Sequence, residues 1–253
     1  MSRRELTLTG LPGLPDIKPG DDLAALIAEG LDRAGKRLEA GDAVVVAQKI
    51  VSKAEGRLVD AGEITPSEAA VELAAKTGKD ARHMELMLRE TGEVLRARMG
   101  VVVVEDLRGL VLANAGIDAS NVSADGETLL LLPQDPDASA ARLRDALGAL
   151  SGVRAAVVII DSIGRAWRQG TIGTAIGVAG MAALADLRGR LDMNGRPLQT
   201  SELGMADELA AAASLVMGQA DERCPVVLAR GLSFEGEGRA ADLIRPRKMD
   251  MFR

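Results

Sequence analysis

Apolar positions recur along the chain at two periods, and each period predicts a different element. Leu23, Ile27 and Leu31 recur at helical spacing after Asp21, which predicts a helix there. Continuous apolar runs at 43–47 and 155–160 predict strands, the second of them buried on both faces. Further helices are predicted over 80–95, 137–150 and 208–217, and further strands over 101–105, 110–113, 128–132 and 226–229.

Turn and capping residues divide these elements. Thr65 and Glu68 have the spacing of a capping box, with Pro66 at the first helical position, and predict a helix that runs toward Thr77. Residues 11–20 are rich in proline and glycine and cannot form a regular helix or a central strand. Strands and helices interleave with hairpins and without a linker-like segment, which predicts a mixed α/β or α+β fold.

Four glycines interrupt the region after the 155–160 strand. They either line one face of a helix or mark places where another backbone approaches closely, and tight packing is the interpretation we favour. The four are Gly170, Gly173, Gly177 and Gly180.

The composition removes several classes of function. The 253 residues include one Trp, two Phe and no Tyr, so the chain has almost no aromatic surface on which to stack the bases of a single-stranded nucleic acid. With a formal net charge of −6, the chain also lacks the broad positive field that binds the phosphate backbone of a nucleic acid. We therefore expect neither a nucleic-acid partner nor, from the absence of a long apolar run, a membrane.

The single cysteine, Cys224, and the single histidine, His83, limit the chemistry further. One cysteine cannot form a disulfide within the chain, and one cysteine with one histidine cannot build a zinc cluster. A Ser-His-Asp triad would have to use His83, because the chain has no other histidine. We interpret His83 as structural and Cys224 as a small core residue. The N-terminus lacks the apolar stretch of a secretory signal, so we expect a cytoplasmic protein.

Neither common nucleotide-binding loop is present. The sequence contains no Walker A motif, which excludes a P-loop NTPase. Gly236 and Gly238 fit a relaxed dinucleotide fingerprint, but too little chain follows for a βαβ unit and Glu237 would repel a pyrophosphate. The fold is therefore predicted to be neither P-loop nor Rossmann.

Two acidic residues after predicted strands are candidates for metal binding. Asp161 and Ser162 follow the apolar run 155–160, where a carboxylate and a hydroxyl can hold Mg²⁺ against nucleotide phosphates. Asp118 lies in a turn of small, oxygen-bearing residues and could be the second carboxylate. The alternatives are that Asp161 caps a following turn and that Asp118 forms an Asx turn.

Two lysines follow the 43–47 strand. Lys49 and Lys53 could neutralise phosphate oxygens as compact positive charges. The alternative is a solvated basic surface, which is the common role of such residues.

Taken together and in order, five segments resemble the CofE family, the coenzyme F420-0:L-glutamate ligases, from about Gly13 to Gly231. The resemblance implies the family's two-part α+β fold as one ligase unit over 1–253, with two interleaved α+β subdomains. It also implies a homodimer with the nucleotide near the subunit interface. The segments are 13–22, 49–57, 114–121, 161–165, and 206–210 together with 215–218.

The implied activity is a GTP-dependent ligation. An enzyme of this family adds L-glutamate to the lactyl carboxylate of the deazaflavin phosphodiester F420-0, and further glutamates by γ-linkage. The expected cofactors are Mg²⁺ or Mn²⁺, and K⁺ as a monovalent cation. Phosphoryl transfer to the carboxylate would give an acyl phosphate, which the amine of glutamate attacks, so no protein nucleophile is needed. The alternative is a related amide ligase with a different carboxylate acceptor.

The resemblance also implies site residues by position. Asp118, Asp161 and Lys53 are expected to be catalytic. The expected metal ligands are Asp118 and Asp161 together with Ser162 and Gln219. Many members of the family have Thr at the position of Ser162, which keeps the hydroxyl, and some have Glu at Gln219, which carries a charge that Gln lacks. The expected nucleotide site comprises Leu14, Pro15, Asp16, Ile17, Gln48, Lys49, Lys53, Asn121, Met217, Gly218, Gln219, Ala220, Asp221, Glu222, Arg223 and Cys224.

Overall fold

The computed structural model describes residues 5–119, 127–234 and 236–251, and these residues form a mixed structure of helices and strands. The helices are α1 (Leu23–Arg33), α2 (Gln48–Ala54), α3 (Glu68–Thr77), α4 (Ala81–Arg89), α5 (Pro136–Ser151) and α6 (Met205–Met217). The strands are β1 (Thr7–Gly10), β2 (Ala43–Ala47), β3 (Leu58–Asp60), β4 (Thr91–Arg98), β5 (Val101–Asp106), β6 (Val111–Ala113), β7 (Thr128–Leu130), β8 (Ala156–Arg165), β9 (Arg168–Ala179), β10 (Ala185–Asp186), β11 (Glu202–Leu203) and β12 (Val226–Arg230).

The largest sheet has five strands in the order β1-β12-β2-β8-β9. Its one parallel pair is β2 with β8, which runs from Ala43 opposite Ala156 to Ala47 opposite Ile160. Successive side chains of a strand point to opposite faces, and both faces of this sheet are covered. Val44, Val157 and Ile159 pack with α1, α2 and α5 on one face. The neighbouring residues, such as Val45 and Val158, pack with α6 on the other. The prediction of a strand buried on both faces is confirmed.

The described residues form three smaller sheets as well: β10-β11, and two others that bury apolar residues against helices. The three-stranded sheet β4-β5-β6 buries Val102 and Val104 against α3 and α4, where Met84 and Met87 are also buried. The pair β3-β7 buries Leu129 with Leu86 of α4. The mixture of helix and sheet agrees with the predicted α+β class. The division into two interleaved subdomains stays a prediction.

Several boundaries differ from the sequence prediction, such as α6, which begins at Met205 and not at Glu208, and three of the differences have a clear physical reason. The helix expected over 80–95 ends at Arg89, and Thr91–Arg98 is instead β4, because pairing with β5 gives this segment a partner that local pattern cannot show. The capping box at Thr65 is wrong: Ser67 is the N-cap, with its side chain accepting from the backbone N–H of Ala70 at 3.3 Å. The strand expected to stop at Ile160 continues as β8 to Arg165, because β9 pairs with it along that length.

The four glycines after residue 160 belong to the strand β9 and its end, not to a helix. A side chain at Gly173 would collide with the backbone oxygen of Ala210 in α6, and one at Gly177 with that of Pro136 in α5. The favoured interpretation, close approach of another backbone, is confirmed at these two positions. Within the described part of the chain, none of the helices has the length and apolar character needed to cross a membrane.

Candidate active site

A cleft of about 940 Å³ opens at the end of the large sheet where β2 finishes. Six separate parts of the chain line it: the loop before α1, the end of β2 with α2, the end of β6 with the turn after it, β8 from Ile160 onward, β9, and the end of α6 with the loop after it. Of the predicted site residues, only Asn121 falls outside the described residues. All the others line this cleft: Leu14, Pro15, Asp16, Ile17, Gln48, Lys49, Lys53, Asp118, Asp161, Ser162, Met217, Gly218, Gln219, Ala220, Asp221, Glu222, Arg223 and Cys224.

The β2–α2 junction supplies one wall. β2 ends at Ala47 and α2 begins at the next residue, so the first turn of α2 lies directly at the carboxyl end of β2. Gln48 is buried there, and its Oε1 accepts a hydrogen bond from the Ser52 hydroxyl at 2.9 Å. Lys49 and Lys53 are one helical turn apart and therefore lie on the same side of α2. Both line the cleft.

The turn after β6 supplies Asp118. Asn114, Ala115 and Gly116 all have positive φ, at 52°, 53° and 68°, so the chain reverses sharply through three left-handed residues. Asp118 then exchanges two backbone hydrogen bonds with Leu130 of β7, at 3.0 and 2.8 Å. This pairing fixes the backbone that carries the carboxylate. Lys49 Nζ lies 2.6 Å from Asp118 Oδ2, so the lysine holds this carboxylate by an ion pair.

Asp161 is the first residue of β8 beyond its parallel pairing with β2, which ends at Ile160. Desolvation raises the pKa of Asp161, and the negative charge of Asp118 acts in the same direction. The backbone N–H of Ser162, the charge of Lys49 and a hydrogen bond with the Gln48 side chain oppose that rise. Asp161 and Asp118 therefore repel each other across the cleft, and a cation between them would relieve that repulsion.

Ser162 points to the other face of β8 from Asp161, since successive side chains alternate. Its hydroxyl donates to Gln219 Oε1 at 2.7 Å, which ties the strand to the loop that follows α6. Gly218 ends that helix with φ 74°, and Arg223 has φ 51°, so the loop turns back over the cleft. The two faces of one strand thus present a carboxylate toward α2 and a hydroxyl toward the loop after α6.

The carboxylate of Glu222 holds that loop together from within. Its Oε2 accepts from the backbone N–H of Ala220 at 2.8 Å. Hydrogen bonds from the backbone of Ala220, Glu222 and Gln219 lower the pKa of Glu222. The loop therefore has several backbone N–H groups turned toward one anionic group.

The oxygen donors in the cleft fit a hard divalent cation. Two carboxylates, one hydroxyl and one amide oxygen come from Asp118, Asp161, Ser162 and Gln219, and Mg²⁺ held with phosphates takes only one or two carboxylates from a protein. Across the described residues, no cluster of three or more His, Cys, Asp or Glu side chains is placed to bind a metal. A site built wholly from protein carboxylates is thus absent from that part of the chain, and the remaining ligands would have to be phosphate oxygens or water.

Several cleft residues escaped sequence analysis. Thr171 lines the cleft from β9, opposite Gly164 of β8 in the hairpin. The glycine pattern had left open whether this region was a helix or a strand, so its register could not be assigned. The interpretation of Cys224 as a core residue is wrong, because it is only half-buried and lines the cleft. Burial of the thiol nevertheless raises the pKa of Cys224, so it is not activated as a nucleophile.

Comparisons with known proteins identify the family of the chain. A family model described as F420-0:Gamma-glutamyl ligase matches residues 13–231. The chain is 45% identical to the coenzyme F420:L-glutamate ligase of Methanothermobacter thermautotrophicus over 251 residues, which is 98% of this chain and 99% of that protein. It is 42% identical over 254 residues to the protein of the same name from Methanocaldococcus jannaschii, covering 99% of this chain and 98% of that one. The protein of that name from Methanopyrus kandleri is 46% identical over 242 residues, 94% of this chain and 93% of the other.

Proposed function

This chain belongs to the F420-0:gamma-glutamyl ligase family, and from that premise we propose that it joins L-glutamate to coenzyme F420-0. The observation that carries the proposal is that the family match spans residues 13–231 while six separate segments within it meet at one cleft. Relatives that match over nearly their whole length carry the name coenzyme F420:L-glutamate ligase. The resemblance found in the sequence is confirmed at the level of the family.

The reaction we propose needs activation of a carboxylate. A carboxylate oxygen of the acceptor attacks the γ-phosphorus of GTP, GDP leaves, and a mixed acyl phosphate results. The amine of glutamate then attacks the acyl carbon, loses a proton, and displaces phosphate as the amide bond forms. Repetition on the γ-carboxylate of the added glutamate extends the chain. Neither step requires a protein nucleophile, which suits a cleft whose one cysteine has a raised pKa.

Charge placement in the cleft supports this chemistry. Mg²⁺ or Mn²⁺ bound at Asp118, Asp161, Ser162 and Gln219 would supply positive charge to the phosphates. Lys53 lies on the α2 wall, where its ammonium group would bind a phosphate oxygen. Lys49 pairs with Asp118 and so keeps that carboxylate oriented in the cleft.

The guanine base must be bound with almost no aromatic side chains to stack on it. Leu14, Pro15 and Ile17 lie together on the cleft wall before α1, and Ile17 is buried there. We propose that these aliphatic side chains cover the base while backbone groups read its edge. The N-terminal loop is held by the backbone bond from Leu11 N–H to Val226 oxygen at 2.8 Å, which fixes this wall to the sheet.

A reconstituted assay tests the proposal. Purified protein is incubated with GTP, Mn²⁺, L-glutamate and F420-0, and products are read by mass spectrometry. We expect glutamylated F420-0 with one GDP for each bond formed. Release of GDP without ligation would indicate a GTPase, and ligation only to another carboxylate acceptor would indicate a different amide ligase. Either outcome would overturn the proposed activity.

A further inference from the structure

Two pairs of residues lie side by side on the helix α2, and the members of each pair are one helical turn apart. Lys49 and Lys53 form the first pair, and both line the cleft. Gln48 and Ser52 form the second pair: Gln48 is 3% exposed and Ser52 is fully buried. Gln48 also belongs to the cleft lining, whereas Ser52 does not. The helix therefore places a buried serine next to a polar residue of the cleft.

The hydroxyl of Ser52 has an uncommon acceptor for a serine in a helix. Helical serines and threonines often donate to the backbone oxygen four residues earlier. Thr77 in α3 and Ser151 in α5 do so, each at 2.7 Å. The acceptor of Ser52 is the side-chain Oε1 of Gln48, at 2.9 Å. The serine thus contacts the amide group that reaches the cleft.

The nitrogen of the same amide is directed at a cleft carboxylate. Although desolvation raises the pKa of Asp161 overall, a hydrogen bond with the Gln48 side chain acts to lower it. An ionised carboxylate only accepts hydrogen bonds, so the donor in this bond is Gln48 Nε2. Gln48 therefore accepts from Ser52 with one end of its amide and donates to Asp161 with the other.

The observed orientation of the Gln48 amide needs both partners. If the amide were reversed, its oxygen would face the Asp161 carboxylate, and two acceptors repel each other. The carboxylate thus selects the orientation. The Ser52 hydroxyl holds it, because it supplies the donor that the buried Oε1 would otherwise lack.

We infer that Ser52 is a positioning residue of the active site, which holds the Gln48 amide against Asp161 and so fixes the carboxylate where it binds a divalent cation. This inference rests on the proposed function, in which Asp161 is a metal ligand. Replacing a group that contacts a metal ligand typically weakens metal affinity or activity by about 10- to 100-fold. Ser52 acts one contact further from the metal, so its removal should have an effect near the lower end of that range.

Steady-state kinetics on hydroxyl variants separates this role from a purely structural one. In Ser52→Ala we expect the Mn²⁺ concentration for half-maximal glutamate addition to rise roughly tenfold, with kcat at saturating Mn²⁺ largely retained. Ser52→Thr and Ser52→Val add the same bulk, and only the threonine keeps the hydroxyl, so Ser52→Thr should need less Mn²⁺ than Ser52→Val. Ser139→Ala is the matched control, because Ser139 is a buried helical serine outside the cleft lining whose hydroxyl donates to Glu55 Oε1 at 2.6 Å.

A double-mutant cycle tests whether Ser52 acts through Gln48. Gln48→Leu removes the amide and keeps a side chain of similar size. If Ser52 acts by holding this amide, adding Ser52→Ala to Gln48→Leu should raise the Mn²⁺ requirement no further. Fully additive effects of the two substitutions would contradict this route.

Nuclear magnetic resonance of the metal-free protein gives a measurement that needs no turnover. The Nε2 protons of Gln48 are assigned as the side-chain amide signals that disappear in Gln48→Leu. In wild type we expect these protons to exchange slowly with solvent, because the group is buried and hydrogen-bonded. Their exchange should become faster in Ser52→Ala and stay unchanged in Ser139→Ala.

The outcomes separate the positioning role from the activity. With active wild-type protein, an unchanged Mn²⁺ requirement or unchanged Gln48 exchange in Ser52→Ala would overturn the role of Ser52 and leave the ligase intact. Equal losses in Ser52→Thr and Ser52→Val would attribute the effect to packing and overturn the role as well, and this pair decides alone if Ser52→Ala does not fold. Wild-type protein that fails to glutamylate F420-0 would instead refute the proposed function, while the exchange of the Gln48 protons still shows whether Ser52 holds the amide.

Discussion

At the scale of single residues, the cleft depends on where one strand stops pairing. β2 ends opposite Ile160, so Asp161 is the first residue of β8 with no residue of β2 opposite it, while β9 still pairs with it at Thr174. Burial raises the pKa of Asp161 and the negative charge of Asp118 adds to that rise, so a cation beside the two carboxylates would favour their ionised forms. Lys49 already supplies one positive charge through its ion pair with Asp118. The cleft is thus suited to receive a cation.

Replacing Asp161 with Asn tests this reading. We expect glutamate addition to fall by at least about 100-fold, the usual cost of removing a group that stabilises transition-state charge, with the circular dichroism spectrum unchanged. Asp207→Asn is the matched control, because Asp207 is also a partly buried carboxylate with a raised pKa but accepts from the Ala175 N–H outside the cleft lining. Wild-type turnover in Asp161→Asn would contradict the assigned role.

Lys53→Ala should weaken nucleotide binding more than catalysis. A charged hydrogen bond is worth roughly 1.5–3 kcal/mol, so we expect the dissociation constant for GTP to rise by about tenfold or more. Isothermal titration with GTP measures the change, and Lys76→Ala on the exposed face of α3 serves as the control. Equal affinities in wild type and Lys53→Ala would remove Lys53 from the nucleotide site.

At the scale of elements, β9 shows how helices are fitted to the sheet edge. Two of its glycines let the backbones of α5 and α6 approach, and two carboxylates on those helices accept backbone N–H groups from β9. Asp137 accepts from Val178 at 2.8 Å and Asp207 from Ala175 at 2.9 Å. These bonds satisfy donors on an edge strand that would otherwise be open to pairing with another chain.

Gly173→Ala should therefore destabilise the fold. The new methyl group would meet the backbone of α6, which cannot yield as a flexible side chain can, so we expect a loss of about 1–3 kcal/mol in the free energy of unfolding. Gly164→Ala is the control, because nothing lies within 4 Å of the added carbon. Urea denaturation measures both. Equal midpoints for the two variants would show that the close approach at Gly173 is relaxed in solution.

The N-terminus of α4 gives an element-scale prediction with a pH dependence. Asp80 caps this helix through the Arg82 N–H at 2.7 Å, and a hydrogen bond with the Arg82 side chain is the main cause that lowers the pKa of Asp80 to about 2. A folded pKa below the unfolded one means that the carboxylate stabilises the protein above about pH 4 and loses that effect as the pH falls toward 2. Asp80→Ala should cost about 1 kcal/mol at pH 7 and much less near pH 2.

Denaturant titrations of wild type and Asp80→Ala at several pH values check this difference. Asp192→Ala, in the exposed loop between β10 and β11, provides a carboxylate control that is not a helix cap. A constant difference between wild type and Asp80→Ala down to pH 2 would contradict the depressed pKa of Asp80.

At the scale of the whole molecule, local pattern predicted what lies in the core and missed what depends on pairing. The buried runs of β2 and β8 are visible because a strand covered on both faces is apolar throughout. β4 and the length of β9 were not visible, because the β4 segment continues the pattern of the helix before it and the glycines of β9 disguise a strand, and only pairing with the neighbouring strands β5 and β8 reveals them. Family resemblance identified the cleft residues in the sequence, and the fold explains why they come together at the carboxyl end of β2.

The expected homodimer is also a property of the whole molecule. Light scattering after size exclusion should give twice the mass of one chain, and the mass should not change when GTP is added. A mass of one chain at micromolar concentration would refute the dimer, and it would leave the cleft, which the described residues of one chain line, as a site that needs no partner.

The fate of one oxygen atom tests the central claim most directly. F420-0 whose lactyl carboxylate carries a heavy oxygen isotope is incubated with the protein, GTP, Mn²⁺ and L-glutamate, and the product and the released phosphate are analysed by mass spectrometry. The account predicts glutamylated F420-0 and one heavy oxygen in each phosphate, because the carboxylate oxygen that attacks GTP leaves with the phosphoryl group. Glutamylated product with unlabelled phosphate would contradict the acyl phosphate, and the absence of product would contradict the ligase.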